Sequence, residues 1–201
     1  GVRLVCVSDT HGQHRKLTLP PGDVLIHAGD FTLYGKEEQA HDFNKWLAEQ
    51  PHLVKVVVLG NHENNSEWNK RAADVLSNAT LLRQSSCDVE VSGAKLRFFG
   101  TDFFWPCKGE NPYFQDISAE TDVLIAHGPA KGCADGDKGC PSLLEAVKRS
   151  QPDLVISGHV HFARGAALLS QQSPCVLLNA ANCGSGPKDR VLVHGAIVVD
   201  L

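Results

Sequence analysis

Short apolar runs that stop at a glycine or a polar residue recur along this chain, and they constrain its fold more than any other feature. The run 54–59 is rich in valine, is broken by Gly60, and is followed at once by Asn61 and His62. Such a run is typical of a buried strand. In α/β folds ligands bind where strands end, so the run predicts both a strand and the position of a site.

The same pattern occurs at five predicted strand ends. The side chains that follow these runs are Asp9 and His11, Asp30, Asn61 and His62, His127, and His159 and His161. Alternate residues of an extended segment point the same way, so Asp9 and His11 can bind one ion from one side. A single histidine at a strand end is more often structural than a metal ligand. Five consecutive ends of this chemistry, however, indicate a metal site.

The remaining periodicity predicts a single α/β domain over residues 1–201. Apolar residues at helical spacing predict helices over 36–50, 67–77 and 142–150. Further strands are predicted over 3–8, 23–28, 122–126, 153–157, 176–178 and 191–199, with a hairpin around Ser92 and Gly93. The aromatic segment 102–116 has no periodicity and is either a self-packed loop or a rim over the site. We favour the rim, because the segment follows a strand end.

Composition and charge exclude several classes of function. Hydrophobic residues make up 42% and charged residues 21% of the chain, as in ordinary globular proteins. The net charge is −4 and there is no basic block, so a nucleic-acid partner is not expected. No apolar run approaches the roughly 18 residues of a membrane span, and we expect a cytoplasmic protein. Cys133 and Cys140 could pair or bind metal, but reduced thiols in the cytosol are the simpler interpretation.

The donor types predict the chemistry of the site. Mixed imidazole and carboxylate ligands suit manganese, iron or zinc better than magnesium or calcium. The predicted donors are too many for one tetrahedral ion and suit two ions, about 3.5–4 Å apart, bridged by one carboxylate. Two such cations clamp the oxygens of a phosphate ester, and a water between them becomes hydroxide near neutral pH. A nearby imidazole can then protonate the leaving alkoxide.

The order of these blocks resembles the calcineurin-like metallophosphoesterases. The blocks are Asp9-Thr10-His11, Gly29-Asp30, Gly60-Asn61-His62-Glu63, His127-Gly128-Pro129 and Gly158-His159-Val160-His161. The resemblance implies a four-layer α/β/β/α sandwich of two mixed sheets flanked by helices, with the site at the sheet ends. It also implies a dinuclear centre, for which Mn²⁺ is our first expectation and Fe²⁺ or Zn²⁺ the alternatives.

The resemblance also implies a role for each site residue. Two ligand sets share one bridging residue: the first is Asp9, His11, Asp30 and His161, and the second is Asp30, Asn61, His127 and His159. His62 would be the general acid. The blocks look closest to the small metallophosphoesterase-domain (239FB-like) branch, which is associated with hydrolysis of cyclic nucleotides and other phosphodiesters. The substrate is therefore expected to be a small phosphoester.

Departures from the family pattern bear on the substrate. Protein Ser/Thr phosphatases of the family carry Asp and Arg in the places of Leu33 and Tyr34, and a second Arg in the place of Leu59. Purple acid phosphatases carry a tyrosine ligand where Leu33 stands. The carboxylate that usually orients the catalytic histidine is missing, which leaves the partner of His62 open. Without those arginines, a diester monoanion is expected to be preferred over a monoester dianion. Arg164 is either a surface charge or a cation that reaches the site.

Two alternative functions compete with phosphodiester hydrolysis. One is a phosphomonoesterase of broad specificity. The other is a non-catalytic metal-binding scaffold of the same fold, which would be expected to lose metal ligands or the catalytic histidine. Since every predicted ligand position and His62 carry competent side chains, the sequence favours an enzyme.

Overall fold

Two mixed β-sheets lie face to face, and helices cover their outer surfaces. The computed structural model describes residues 1–132, 134–188 and 190–201. The strands are β1 Arg3–Val7, β2 Val24–His27, β3 Val54–Val57, β4 Thr80–Leu81, β5 Ser85–Val91, β6 Ala94–Gly100, β7 Val123–Ile125, β8 Leu154–Ser157, β9 Gly165–Ser170, β10 Ser173–Asn179 and β11 Ile197–Asp200. The α-helices are α1 Glu37–Glu49, α2 Asn61–Asn64, α3 Ala72–Val75 and α4 Pro141–Ser150.

Each sheet is parallel at its centre and antiparallel at an edge. The first sheet has the order β11-β1-β2-β3-β4, and only β11 runs antiparallel to its neighbour. The second sheet has the order β5-β6-β7-β8-β10-β9, with antiparallel pairs at β5–β6 and β10–β9. Since parallel strands end at the same edge, the loops after β1, β2, β3, β7 and β8 are gathered together.

Three apolar layers separate the four layers of secondary structure, as the resemblance implied. In β1 the side chains of Leu4 and Cys6 pack between the sheets, while Val5 and Val7 face α1. The helix α1 meets them with its buried stripe of Ala40, Phe43, Trp46 and Leu47. On the other outer face, Leu124, Val155 and Leu177 pack against Leu143, Ala146 and Val147 of α4. Both faces of each sheet are therefore buried, which explains the continuous apolar runs in the sequence.

The two sheets are joined directly at the edge that holds the loops. Ser8, just after β1, forms an isolated parallel bridge with Ala181, just after β10. The amide of Ser8 donates to the side-chain oxygen of Asn182 (3.0 Å), and the amide of Asn182 donates to the carbonyl of Ser8 (2.8 Å). The strand ends of both sheets are consequently held against each other.

Most predicted elements are present, with four differences, the first of which is the short helix α2, which was not predicted. The predicted helix 67–77 is instead a 3-10 segment, Glu67–Arg71, followed by the short α3. Strand β9 was not predicted. The predicted strand 191–199 is wrong for its first half, where Leu192 forms only an isolated antiparallel bridge with Cys183 and the amides of Val193 and His194 both donate to the carbonyl of Asn182.

The structure describes most of the cysteines, but not all of them. Cys133 lies outside the described residues, and so does the alternative that Cys133 and Cys140 pair or bind metal. The thiols of Cys6, Cys87, Cys107 and Cys140 are free, and the Cys140 sulfur accepts the amide of Cys107 at 3.2 Å. No helix in the described part of the chain is both long and apolar enough to cross a membrane.

Candidate metal centre

All eight predicted site residues converge at the shared edge of the two sheets. Asp9, His11, Asp30, Asn61 and His62 come from the first sheet, and His127, His159 and His161 come from the second. Nε2 of His127 lies 3.2 Å from Oδ2 of Asp30 and 3.9 Å from Oδ1 of Asp9. The two sheets thus each contribute part of one cluster of donors.

Three groups of donors overlap at His11 and Asp30, and two of them contain only residues of one predicted ligand set each. Asp9, His11 and His161 form one group, and Asp30, His127 and His159 form the other. Within each group the ligand atoms all lie within 4.8 Å of one another. Asp30 also groups with His11 and His62, which is the position expected of a residue shared between two ions. The side-chain oxygen of Asn61 is 3.2 Å from Nε2 of His127.

Backbone carbonyls set the tautomer of three histidines. Nδ1 of His11 lies 3.3 Å from the carbonyl oxygen of Thr32, Nδ1 of His127 lies 2.7 Å from that of Ala28, and Nδ1 of His161 lies 2.8 Å from that of Gly184. A carbonyl only accepts, so each Nδ1 carries the hydrogen. When these rings are neutral, the lone pair of each Nε2 faces the cluster, as metal-binding imidazoles require.

The charges of the site also suit cations. Burial alone would raise the pKa of Asp9 and Asp30, but the facing imidazoles hold the pKa of both carboxyl groups below its usual value. Burial opposes charge on His127, yet Asp30 and Asp9 raise its pKa to about 10. Burial and the neighbouring His127 lower the pKa of His159 to about 4. Two buried carboxylates beside imidazole donors therefore fit divalent transition-metal ions.

The backbone at these positions is strained. Asp9, His11, Asp30 and His159 have φ angles of 55°, 42°, 56° and 64°. This left-handed region is uncommon for residues other than glycine and costs roughly 1 kcal/mol or more for each residue. Strain of this kind is concentrated at functional sites, because it aims side chains in directions that regular strands do not allow.

Two glycines leave room for the carboxylates. A Cβ added to Gly60 would collide with the carboxylate of Asp30, and one added to Gly158 would collide with the carboxylate of Asp9. Both glycines directly precede predicted ligands. Their small size is therefore a steric requirement of the centre.

Glu63 is a structural member of the site to which sequence reasoning gave no role. It is fully buried, and its carboxylate accepts the amides of Asp30 (2.9 Å), Thr32 (2.8 Å) and Gly60 (2.9 Å) and the hydroxyl of Thr32 (2.6 Å). Burial, with the charge of Asp30, raises its pKa to about 7. A glutamate three residues into a helix is the usual partner of a capping box, and that spacing from Gly60 was the available signal.

The partner of His62 is a backbone amide. Tyr34 donates its N–H to Nδ1 of His62 over 2.8 Å, so the hydrogen of the neutral ring is on Nε2. That Nε2 lies 3.7 Å from Oδ2 of Asp30, and the His62 amide donates to Oδ1 of the same carboxylate at 2.9 Å. His62 therefore faces the centre through the atom that can donate a hydrogen.

A cation that sequence reasoning missed lies over the centre. The guanidinium of Arg190 stacks on the ring of Tyr34, 4.5 Å from its centroid. A cavity of about 170 Å³ is lined by Arg190 together with His11, Asp30, Asn61, His62, His159 and His161. Arg190 stands in an irregular segment of the sequence, without a motif that could have singled it out.

Arg164, the basic residue considered from the sequence, has a different role. Its guanidinium donates to the carbonyls of Ala180 (3.1 Å), Ala181 (2.7 Å) and Gly195 (2.9 Å). These bonds tie the segment after β10 to the segment before β11. Arg164 is therefore engaged in holding the backbone together.

The aromatic segment 102–116 divides into two parts. The rings of Phe103 and Trp105 lie 5.2 Å and 4.2 Å from that of His159, at the rim of the centre. Phe104 instead stacks on Tyr113 at 4.7 Å and packs edge-on against Phe114. The rim and the self-packed loop are thus both present in one segment.

Comparison with known proteins identifies the family. The sequence model described as calcineurin-like phosphoesterase matches residues 2–163. A UPF0046 protein of Caenorhabditis elegans is 37% identical, and the match covers 92% of this chain and 71% of that protein. Human metallophosphoesterase domain-containing protein 1 is 31% identical, with 99% of this chain and 71% of that protein covered.

A solved structure agrees with this at the level of the fold. A Thermus thermophilus protein superposes with a TM-score of 0.64 over 89% of this chain and 88% of its own, at 11% sequence identity. An identity this low bears on the fold alone. The segment matched by the sequence model includes all five strand ends that build the centre, and the chain therefore belongs to the calcineurin-like phosphoesterase family.

Proposed function

We propose that this protein is a metal-dependent hydrolase of small phosphodiesters. The observation that carries the proposal is that Asp30 belongs to two groups of nitrogen and oxygen donors, one with His11 and His62 and one with His127 and His159. A carboxylate shared in this way suits two ions held close together. The family membership of the chain supports the same conclusion.

Each residue of the centre has a part in this proposal. Asp9, His11, Asp30 and His161 would hold one ion, and Asp30, Asn61, His127 and His159 would hold the other. Bound there, divalent cations (Mn²⁺ first, Fe²⁺ or Zn²⁺ as alternatives) supply Lewis-acid activation of the phosphoryl group and ionise a water near neutral pH.

His62 and Arg190 would act on the substrate directly. Nε2 of His62 lines the cavity over the centre, and His62 is proposed to protonate the leaving oxygen. This step needs the imidazolium form, in which Nδ1 also carries a hydrogen and no longer accepts the amide of Tyr34. Arg190 lines the same cavity, and its planar fork of N–H groups matches phosphate oxygens. Tyr34 contributes to both, since its amide orients the His62 ring and its own ring supports Arg190.

The preference for diesters rests on the small amount of positive charge outside the centre. Leu59 is buried and Tyr34 is neutral, so the two arginine places of the Ser/Thr phosphatases remain without a cation. A diester monoanion needs less cationic help than a monoester dianion. Within diesters, cyclic nucleotides are our narrower proposal, and a cytoplasmic setting accords with the free thiols.

Arg190 favours a second candidate, a phosphomonoesterase of broad specificity. It supplies one guanidinium from a different part of the chain. We still prefer the diesterase, because this chain brings one arginine to the centre, whereas the monoesterase branch uses two. A non-catalytic scaffold is the weakest candidate, since the ligand set and His62 are complete.

Metal analysis combined with a substrate comparison tests the proposal. The protein is loaded with Mn²⁺, its metal content is measured, and kcat/KM is compared for an aryl diester, an aryl monoester, and 2′,3′- and 3′,5′-cyclic nucleotides. We expect two ions per chain and higher kcat/KM for the diesters. A clear advantage for the monoester would replace the proposal by the second candidate, and two bound ions without hydrolysis of any ester would favour the scaffold.

A further inference from the structure

A second, larger cavity adjoins the candidate metal centre. It has a volume of about 390 Å³, within the range of small-molecule sites. His159 and His161 line both this groove and the cavity over the centre. The two cavities are therefore neighbours, and a molecule whose phosphate lies at the centre can reach the groove past these two histidines.

The groove presents a fixed aromatic surface. Phe162, the residue after His161, is 56% exposed although it is a large apolar side chain. Its ring lies so close to Gly136 that a Cβ there would collide with it. Trp105 lines the groove as well, with its ring 4.2 Å from that of His159. An exposed ring held against the backbone is ready for stacking, because little side-chain freedom is lost on binding.

The groove is also positively charged and polar at its edge. Nζ of Lys138 lies 5.1 Å from the centroid of the Phe162 ring. Ser185 and Gly186 line the same edge. A planar ring that carries hydrogen-bond acceptors, as a nucleobase does, would find both a stacking partner and donors there.

The position of His62 decides which end of the substrate the groove receives. Among the described residues, His62 and Arg190 line only the smaller cavity. Since His62 is proposed to act on the leaving oxygen, the leaving group lies on that side. The groove lies on the side of His159 and His161, away from the proposed acid.

From this arrangement we infer that the groove between Trp105 and Phe162 binds the substituent of the diester that stays on phosphorus, and that it selects an aromatic one. The inference rests on the proposed function, because it assumes a phosphodiester at the centre. It adds a substrate class, namely diesters whose retained group is a planar aromatic ring such as a nucleobase.

Two substrates with the same leaving group isolate this interaction. Phenyl p-nitrophenyl phosphate and methyl p-nitrophenyl phosphate release the same p-nitrophenolate and differ only in the retained substituent. The comparison is made between protein variants, because the two esters differ in intrinsic reactivity. Phe162→Ala should lower kcat/KM for the phenyl ester by about five- to tenfold, mainly through KM, at the lower end of the range for aromatic stacking.

The methyl ester should change by less than about twofold in the same variant. Phe162→Leu keeps apolar area without the ring, so its kcat/KM for the phenyl ester should lie between those of Phe162→Ala and the wild type. The matched control is Tyr113→Ala, since Tyr113 is 52% exposed but stacks on Phe104 in the self-packed part of the loop. Tyr113→Ala should leave kcat/KM unchanged for both esters.

Binding provides a readout that does not need turnover. In titration calorimetry of the Mn²⁺-loaded protein, phenylphosphonate should bind more tightly than methylphosphonate, and Phe162→Ala should remove the difference. Equal effects of Phe162→Ala on both esters and both phosphonates would overturn the inference while leaving the proposed function intact. If the wild type hydrolyses neither ester, the proposed function fails, and the titration alone still decides whether the groove selects aromatic groups.

Discussion

The amide of Tyr34 donates to Nδ1 of His62 over 2.8 Å, so a hydrogen-bond donor stands where the sequence left the partner of His62 open. Tyr34 can do so because its φ angle of 63° turns the chain at this point. A backbone donor fixes the neutral ring with its hydrogen on Nε2; to act as an acid, the ring must take up a second proton at Nδ1 in place of this contact. The catalytic assignment of His62 leads directly to a test.

His62→Ala should preserve the metal content and lower the rate according to the leaving group. We expect kcat to fall by about 10²–10⁴ for a ribose alkoxide, which must be protonated, and by much less for a nitrophenolate. The control is His41→Ala, which removes an exposed histidine from α1. Equal losses on both substrates, or loss of metal, would show that His62 is not the general acid.

Asp30→Asn should weaken binding of both ions, because it removes the charge shared between the two ligand groups. The amide group has a similar shape and can still accept the His62 amide through its oxygen. We expect fewer than two ions per chain and a loss of kcat/KM greater than about 100-fold, which is more than a residue that only orients a ligand contributes. Metal analysis after gel filtration measures the first effect. Asp74→Asn, at an exposed position of α3, is the control, and full metal content in Asp30→Asn would contradict a shared ligand.

Glu63→Gln should destabilise the fold around the centre. The carboxylate of Glu63 accepts four hydrogen bonds, whereas the NH₂ group of glutamine would face donors on one side. Leaving such buried groups without partners costs about 3 kcal/mol in free energy of unfolding. Urea denaturation checks this against Glu67→Gln, a change at an exposed glutamate. A loss below about 0.5 kcal/mol would mean that the four contacts contribute little.

His27 should make the stability of the protein fall in mild acid. It is fully buried; its Nδ1 accepts the amide of Gly29 at 3.3 Å, and its Nε2 lies 3.0 Å from the Thr10 hydroxyl. Burial lowers its pKa to about 3. Below about pH 6.5 the unfolded chain binds a proton that the folded chain does not, so stability falls as the pH drops from about 6.5 toward 3.

Glutamine at position 27 provides the comparison for this effect. It can accept from Gly29 and donate to Thr10 without titrating. The slope contributed by His27 is up to about 1.4 kcal/mol for each pH unit, and His27→Gln should remove it, while His41→Gln should not. Urea denaturation at pH 7.5, 6.0 and 4.5 in the presence of a chelator measures the slopes. Parallel curves for wild type and His27→Gln would refute the assignment.

The sequence predicted the site best where a metal-binding side chain directly follows a buried strand. A carboxylate or an imidazole after a buried apolar run is placed at the sheet edge by strand geometry alone, which is why Asp30 and His127 could be predicted. Glu63 and Arg190 could not be assigned in this way. Glu63 acts on amides of a loop more than 30 positions earlier, and Arg190 reaches the centre through an irregular segment whose course depends on tertiary hydrogen bonds.

Secondary structure shows the same division. Helix α1 was predicted to within a residue at each end because its apolar stripe is regular. Strand β9 was missed because Gly165–Ser170 contains no β-branched residue, and its pairing with β10 is decided by the neighbouring strand. The segment before β11 is apolar enough to be a strand, but the carbonyl of Asn182 receives its amides instead.

The two sheets meet at Ser8 and Ala181, so ions bound at this edge would also stabilise the fold. Asp9 and His161, which lie in one donor group, are 152 positions apart in the chain, so an ion held by ligands of both sheets closes a very long loop. Binding of such an ion adds about 2.7 kcal/mol to the free energy of unfolding when the free ion is at 100 times its Kd. The melting temperature of the protein should consequently rise with the logarithm of the free metal concentration. Thermal unfolding would then report how much metal is available to the protein.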